Sequence, residues 1–449
     1  MGIRGNLSAG CIGAGSTLAV LLLTTAGPVE VSDGVASVIA KYPAGPDINS
    51  YLTAGQTIAN SGFRVDSLDW FFELWPPALP TLHAMVIRLA LGDHLVLVES
   101  VLLSLLIGTL VSILWSTSSW RYPLRIALVS CVPIAIYIGI GLDRYRLLHT
   151  DVWAVACASI AVGLLWRRNV RDALLGGLAL AAAAYFRASY AAVAYAIAIT
   201  SIIFLTYVII RIFVRRLQRK RNPGVNADAL SIIAFGLVAF ACLLPWHAFL
   251  HLENGQDKWS NADAVTWSHV WMTDDYTASV GGDWVSDLGG NWACEIDAPM
   301  CSQVLKEEVD KGFPFRATPA TVKRWRELAA TAVVHHPLRF ARNRIGYWLN
   351  AVQIGNTGTF SATPDGFGLL RLLFTLTMLV AWLTTTLRSC FRRNPLAFIT
   401  LIFVGVATGT NVFQHLEARY VWAPVVLAAA GLSVVRIAKT GSEMPSHLD

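Results

Sequence analysis

Charge is scarce in this chain. Only 14% of its 449 residues are Asp, Glu, Lys or Arg, where a soluble globular protein carries about 25%. The shortfall runs along the whole sequence. It excludes an ordinary soluble enzyme, a disordered protein and a nucleic-acid-binding domain, so no nucleic-acid partner is expected. Cysteine is also sparse, seven in all, and most cysteines sit inside apolar runs, which excludes a disulfide framework. There is no phosphate-binding loop, no HExxH and no serine-nucleophile elbow. What is abundant is apolar residue: 55% of the chain, with a mean hydropathy of +0.53. The length suits many membrane spans better than two or three soluble domains.

A bilayer is crossed by about 20 apolar residues in a helix, because lipid offers backbone polar groups no partners. Ten segments qualify, within a range of eight to twelve: 8–27, 94–115, 123–141, 151–166, 172–186, 188–212, 229–250, 366–387, 395–412 and 419–436. The first is read as a retained span, since no small-x-small cleavage site ends it before Pro28. The fold class expected is therefore an all-α polytopic membrane protein.

Orientation follows from basic residues. With the N-terminus and Arg4 inside, the inner turns carry Arg121 and Arg125; Arg167, Arg168 and Arg171; Arg215, Arg216, Arg219, Lys220 and Arg221; then Arg388, Arg392 and Arg393. Lys439 lies in the tail, so both termini are expected in the cytoplasm. Acids do the opposite. Of 29 Asp and Glu, only Asp172, Asp228, Glu443 and Asp449 fall inside. Acids orient topology weakly, so their gathering on the outer side points to function.

Two outer segments are long, 28–93 and 251–365. They divide the chain into an N-terminal membrane module (1–250, with the first outer loop), an outer subdomain of mixed structure (251–365) and C-terminal spans with a tail (366–449). Tyr51, Leu52, Ala54 and Ile58 recur at helical spacing after Pro46-Asp47, a helix start with an acid in its first turn. Val333 to Val352 mixes basic and apolar residues as a helix on a membrane surface does. Cys294 and Cys301 are the two outer-loop cysteines, and a disulfide between them is expected in an oxidising compartment. The outer segments hold no Asn-x-Ser/Thr acceptor, which favours a bacterial plasma membrane. Glu99, near the outer end of the second span, is either a functional acid or a helix-end pairing residue.

Four features follow one another. The first loop has Asp47, Tyr51, a small-residue helix and a Pro76-Pro77 turn. Asp151 opens an outer span end, a basic inner turn and a Gly-Gly-Leu-Ala-Leu span follow, and Arg187 stands at the next outer turn. Pro245-Trp246 closes the seventh span, with Asn254 after it, and Glu417, Arg419 and Tyr420 precede a proline-containing last span. This order resembles the GT-C superfamily of membrane glycosyltransferases, in particular the protein mannosyltransferase and aminoarabinose transferase branch. The resemblance implies a GT-C-like fold and sugar transfer, with inversion, from a polyprenyl-phosphate donor to a glycan, lipid or protein acceptor at the outer face. It makes Asp47 the general base that takes the acceptor's proton, and Asp151 the second catalytic acid. Tyr51, Arg187, Arg419 and Tyr420 would bind substrate, the arginines at the donor phosphate. Some members hold a divalent metal ion, for which Glu73 and His269 stand nearest in position. Here the sequence departs: Trp75, where close relatives carry Lys, precedes Pro-Pro, and Glu73 is displaced by one residue.

Arg187 with Asp151 also reads as a salt bridge tying two helices, and Arg419 as an interfacial arginine. The alternative function is a transporter or lipid-linked-sugar flippase, and a polymer ligase with a different donor is a third. A transporter places polar groups at mid-membrane on broken helices. Here 395–412 has no ionisable residue and the acids gather at outer ends.

Overall fold

The computed structural model describes residues 3–23, 33–41, 46–62, 75–141, 148–217, 227–254, 337–355, 365–413 and 418–435, with Trp259 and scattered positions over 323–335. All regular structure among the described residues is helical, and no strand occurs there. Among the described residues, six stretches are long and apolar enough to cross a membrane: Asn6–Leu23, Gly92–Thr117, Tyr122–Ile140, Ser189–Val214, Ala227–Leu252 and Gly368–Phe391. Thr150–Leu165, Pro395–Thr410 and Val421–Val434 are shorter apolar helices. The chain is a multi-pass helical membrane protein.

In chain order the helices are α1 (Ile3–Leu23), α2 (Val35–Lys41), α3 (Pro46–Ser61), α4 (Ala78–Arg88), α5 (Leu95–Thr117) and α6 (Tyr122–Ala135). Then come α7 (Thr150–Leu165), α8 (Val170–Phe186), α9 (Ser189–Leu217), α10 (Ala227–Asn254), α11 (Pro337–Ile354), α12 (Gly368–Phe391), α13 (Pro395–Phe413) and α14 (Ala418–Val434). A helix thus lies at each of the ten apolar segments. Pro133 stands inside α6, and the helix loosens into a π turn over Ile136–Ile140 just beyond it.

The centre is α7. Every one of its residues is buried, which is why its sequence is apolar all round rather than striped. It packs on α5, α8 and α14. Outside these, α10 covers α8, α9 covers α10, and α12 and α6 flank α14. With lipid as apolar as leucine, helices associate by close contact, and small residues allow it. Gly177 of α8 shows how close: a Cβ there would stand 2.6 Å from the Phe235 carbonyl oxygen of α10.

Side chains sort the bundle into two ends. At one end Trp166 donates through Nε1 to Thr400 Oγ1 (2.9 Å), Trp120 donates to the Leu432 carbonyl (2.9 Å) and Thr117 donates to the Gly163 carbonyl (3.3 Å). Arg167 bonds the Ser116 hydroxyl and faces Asp172 at 3.7 Å, and Arg168 faces Asp228 at 3.7 Å. Arg125 lies over the Trp115 ring, 5.4 Å from its centroid. Described basic turns that sequence places on one side therefore meet in space, and Arg167 and Arg168 face Asp172 and Asp228, two of the four acids assigned to that side.

A second layer caps the opposite end. Helices α3 and α4 pack as a pair, and α4 reaches α5 and α8. Ile48, Tyr51, Leu52, Ala54 and Ile58 of α3 are buried, the face that helical spacing marks. Arg88 ties the pair together by donating to the Ala59 and Ile58 carbonyls, each at 3.1 Å. Helix α11 is the amphipathic segment. It buries Ala351, Val352 and Ile354 and exposes Leu338 and Ile345. It is more than a surface helix, because it packs on α12 and α14. Its end is fixed by Gly355 (φ +58°), where a Cβ would stand 2.5 Å from the Ile138 carbonyl oxygen. Only glycine fits both the left-handed backbone and that approach.

Candidate functional site

The end opposite the basic turns holds an ion pair between two buried helix termini. Asp151 lies in the first turn of α7, where the helix dipole favours an acid. Arg187 is the residue at which α8 stops: its backbone turns extended (φ −148°, ψ 123°) while its N–H still donates to the Ala183 carbonyl at 2.8 Å. The chain reverses within two residues, and Tyr190 N–H returns to the Arg187 carbonyl at 3.1 Å as α9 begins. The Arg187 guanidinium donates through Nη1 to Asp151 Oδ1. Only 18% and 5% of the two side chains are accessible, so the charges meet where water screens them little. Trp153 stacks on Phe186 beside the pair, with centroids 5.7 Å apart. Thus the structure brings together two of the site residues expected from sequence, 36 residues apart in the chain.

The pair is recessed. Gly163 of α7 meets Ile113 and Leu114 of α5, and α7 and α5 run in the same direction. Counting back twelve residues along both helices sets Asp151 level with residues 101–102, yet α5 begins at Leu95. At about 1.5 Å per residue, α5 extends roughly 9 Å past the pair. Likewise Gly177 of α8 meets Phe235 and Val238 of α10, so Arg187 is level with residues near 247, and α10 continues to Asn254. That overshoot is roughly 10 Å. Asp151 and Arg187 therefore stand below the ends of both flanking helices.

Level with Arg187 is a group that the sequence reading did not single out. His247 of α10 bonds the Tyr195 hydroxyl of α9. The Trp259 ring stands edge-on to His247 (5.6 Å) and to Tyr185 (5.1 Å), and its Nε1 donates to the Ala184 carbonyl at 3.3 Å. Tyr185 donates to the Cys242 carbonyl at 2.9 Å. The available signal was a histidine directly after Pro245-Trp246 in an otherwise apolar helix.

Two further buried ionisable side chains lie at this end. His83 of α4 and Glu99 of α5 have no accessible surface, and Nε2 stands 3.0 Å from Oε1. The approach is off the axis of a good hydrogen bond, and neither side chain has a hydrogen-bond partner among the described residues. This contact matches the pairing reading of Glu99, and it joins the capping layer to a long apolar helix. Arg371, at the start of α12, holds both oxygens of Asp365 (2.8 and 3.0 Å) and the Gln353 carbonyl (2.7 Å). The guanidinium, with the Phe367 N–H behind it, holds the Asp365 carboxyl below its ordinary value of 3.8.

Tyr51 is buried in α3, edge-on to Trp75 with centroids 6.1 Å apart, so it packs within the capping layer. Asp47 occupies the first turn of α3, and its side chain lies outside the described residues. The same holds for Arg419 and Tyr420, whose backbones form the first turn of α14. Since α14 packs along α7 and Trp422 meets Gly139 near the end of α6, that turn is at the ion-pair end. Glu73, His269, Cys294 and Cys301 lie outside the described residues, as does nearly all of 255–336. Among the described residues there is no group of three or more His, Cys, Asp or Glu placed to hold a metal ion. Cys11, Cys131, Cys157, Cys242 and Cys390 are unbridged.

No family model, curated protein or solved structure matches this chain.

Proposed function

We propose that the chain is an integral membrane glycosyltransferase of GT-C type. It moves a sugar from a polyprenyl-phosphate donor to a glycan, lipid or protein acceptor at the outer face of a bacterial plasma membrane. In this reading all ten apolar helices cross the bilayer, the shorter ones around the recess, and the basic end with both termini faces the cytoplasm. The observation that carries the proposal is the buried Asp151–Arg187 pair, recessed between longer helices at the end where acids gather.

Each role follows from chemistry. A guanidinium can hold a carboxylate and still donate to a phosphate oxygen through its planar fork. Arg187 would steady the charge that grows on the leaving phosphate, and Asp151 would fix the guanidinium's direction. Arg419 would meet the same phosphate from α14. A leaving phosphate needs no proton, so the acid–base work falls on the acceptor, a weak nucleophile. Asp47, opening α3 in the capping layer, would take its proton. Tyr51 supports that helix from within the layer. Glu73 and His269 are the residues that would carry a divalent ion.

The test is transfer from labelled polyprenyl-phosphate sugars by the purified protein in lipid, with Asp47→Asn as control. Product from one donor, reduced at least a hundredfold in the variant as expected on removal of a general base, supports the reading. Full activity in Asp47→Asn removes the base assignment. No product from any donor, with lipid-linked sugar crossing the bilayer instead, replaces the enzyme by a flippase.

A further inference from the structure

We infer that Tyr190 contacts the donor phosphate, as a third member of the Asp151–Arg187 site. Tyr190 is the second residue of α9 and is 3% accessible. Its hydroxyl is buried and has no hydrogen-bond partner among the described residues. The phenol is within electrostatic reach of both Arg187 and Asp151, and its N–H bonds the Arg187 carbonyl. The same two-residue turn therefore sets the positions of the guanidinium and the phenol.

A hydroxyl taken out of water without a partner destabilises a protein, and phenylalanine would fill the same space without that cost. Two partly buried tyrosine hydroxyls nearby are bonded: Tyr185 to the Cys242 carbonyl and Tyr195 to His247. Tyr190 differs in standing at the recessed ion pair. What completes it must be a hydrogen-bond acceptor that arrives beside a guanidinium at membrane depth. A phosphate ester on a lipid meets both conditions. Its oxygens accept from a phenol and from an arginine together, and its chain enters between helices. The ligand class rests on the glycosyltransferase reading, whereas the site itself rests on the geometry.

The experiment compares wild type with Tyr190→Phe in lipid nanodiscs. Three quantities are measured: thermal unfolding, binding of decaprenyl phosphate against unphosphorylated decaprenol, and sugar transfer. A structural role and a ligand role predict opposite results. The expected result is unfolding at the same temperature or higher. Decaprenyl-phosphate affinity should fall roughly ten- to a hundredfold, the worth of one hydrogen bond to a charged group. Decaprenol binding should be unchanged and transfer should fall in parallel. Earlier unfolding of the variant shows that the hydroxyl has a structural partner and overturns the inference. Wild-type affinity in the variant overturns it too while leaving the glycosyltransferase reading in place. A wild type that binds no decaprenyl phosphate overturns both.

Discussion

The His83–Glu99 contact offers the sharpest test of the packing at this end, because two opposite substitutions separate pairing from plain packing. Both side chains are fully buried, one on the capping layer and one on α5, with Nε2 and Oε1 3.0 Å apart. Replacing Glu99 by Leu leaves His83 buried beside an apolar group, and His83→Leu leaves the carboxyl in the same position. Removing one partner of a buried pair costs about 3–5 kcal/mol, and leaving a neutral polar group unsatisfied costs about 1–3 kcal/mol. The off-axis approach puts each single variant near 3 kcal/mol, where those ranges meet. The double variant His83→Leu with Glu99→Leu exchanges the pair for two apolar side chains of similar length. A swap of that kind is often close to neutral. The single costs should therefore not add, and the coupling should reach at least about 2 kcal/mol. The assay is reversible unfolding of the purified protein in mixed micelles, followed by tryptophan fluorescence, for the four members of the cycle. Single variants within about 0.5 kcal/mol of wild type, the usual scatter of substitutions away from such features, refute the pairing. So does a double variant that costs the sum of the singles.

Gly177→Ala places a methyl group 2.6 Å from a backbone carbonyl oxygen of α10, which cannot rotate away, so α8 and α10 must part; overpacking of this kind costs about 1–3 kcal/mol. An unchanged melting temperature would show that the helices do not meet as closely as described. Asp365 is an acid whose folded-state proton affinity is lowered by Arg371. Its contribution is therefore complete above the ordinary carboxyl value of 3.8 and is lost as pH falls through the lower folded value. Asp365→Asn should flatten the acid limb of a stability profile below that value and loosen α11 from α12; an acid limb identical to wild type would argue against it.

The features most legible in sequence were those set by the bilayer. Apolar runs marked helices because lipid forces backbone groups to bond within a segment, and basic residues marked the turns because they remain at one interface. Residues such as Arg167 and Trp166 then came together at one end without any pairing rule being needed. The α3 face was readable because its apolar spacing has the helical period. What sequence did not reveal was the company each polar residue keeps. His83 and Glu99 stand on different helices, with the bend over 89–94 between them, and no period links them. His247 and Tyr195 are 52 residues apart and meet only because α9 doubles back on α10. Helix α2 was missed as well. It is short, so its apolar spacing (Val35, Val38, Ile39) spans little more than one turn, and it is held by Asp33, which accepts from Ser37 (3.0 Å) and Lys41 (2.7 Å).

Within the proposed reading, helix length favours a donor that comes from the lipid. A hydrocarbon core is about 30 Å thick, and at about 1.5 Å per residue α7 and α8 reach only about 24–26 Å. Their shared turn at 166–169 is tied to the basic end by Arg167 and Arg168, so the missing length falls at the other end. If both helices cross the bilayer, as proposed, Asp151 and Arg187 stand at or below the level where lipid headgroups begin, while α5 and α10 continue past them. A soluble, charged sugar nucleotide would have to shed water to reach such a depth. A sugar carried on a lipid phosphate arrives there already, with its phosphate at the interface and its chain in the bilayer. The ion pair is costly at that depth unless each charge answers the other, and in the proposed reading their mutual pairing would keep both in place until a phosphate takes part. A transporter has a different need. It requires polar groups near mid-membrane that both sides can reach in turn, and α7, buried all round, has no charged residue below its first turn and only the Ser159 hydroxyl and Cys157 thiol as polar groups there.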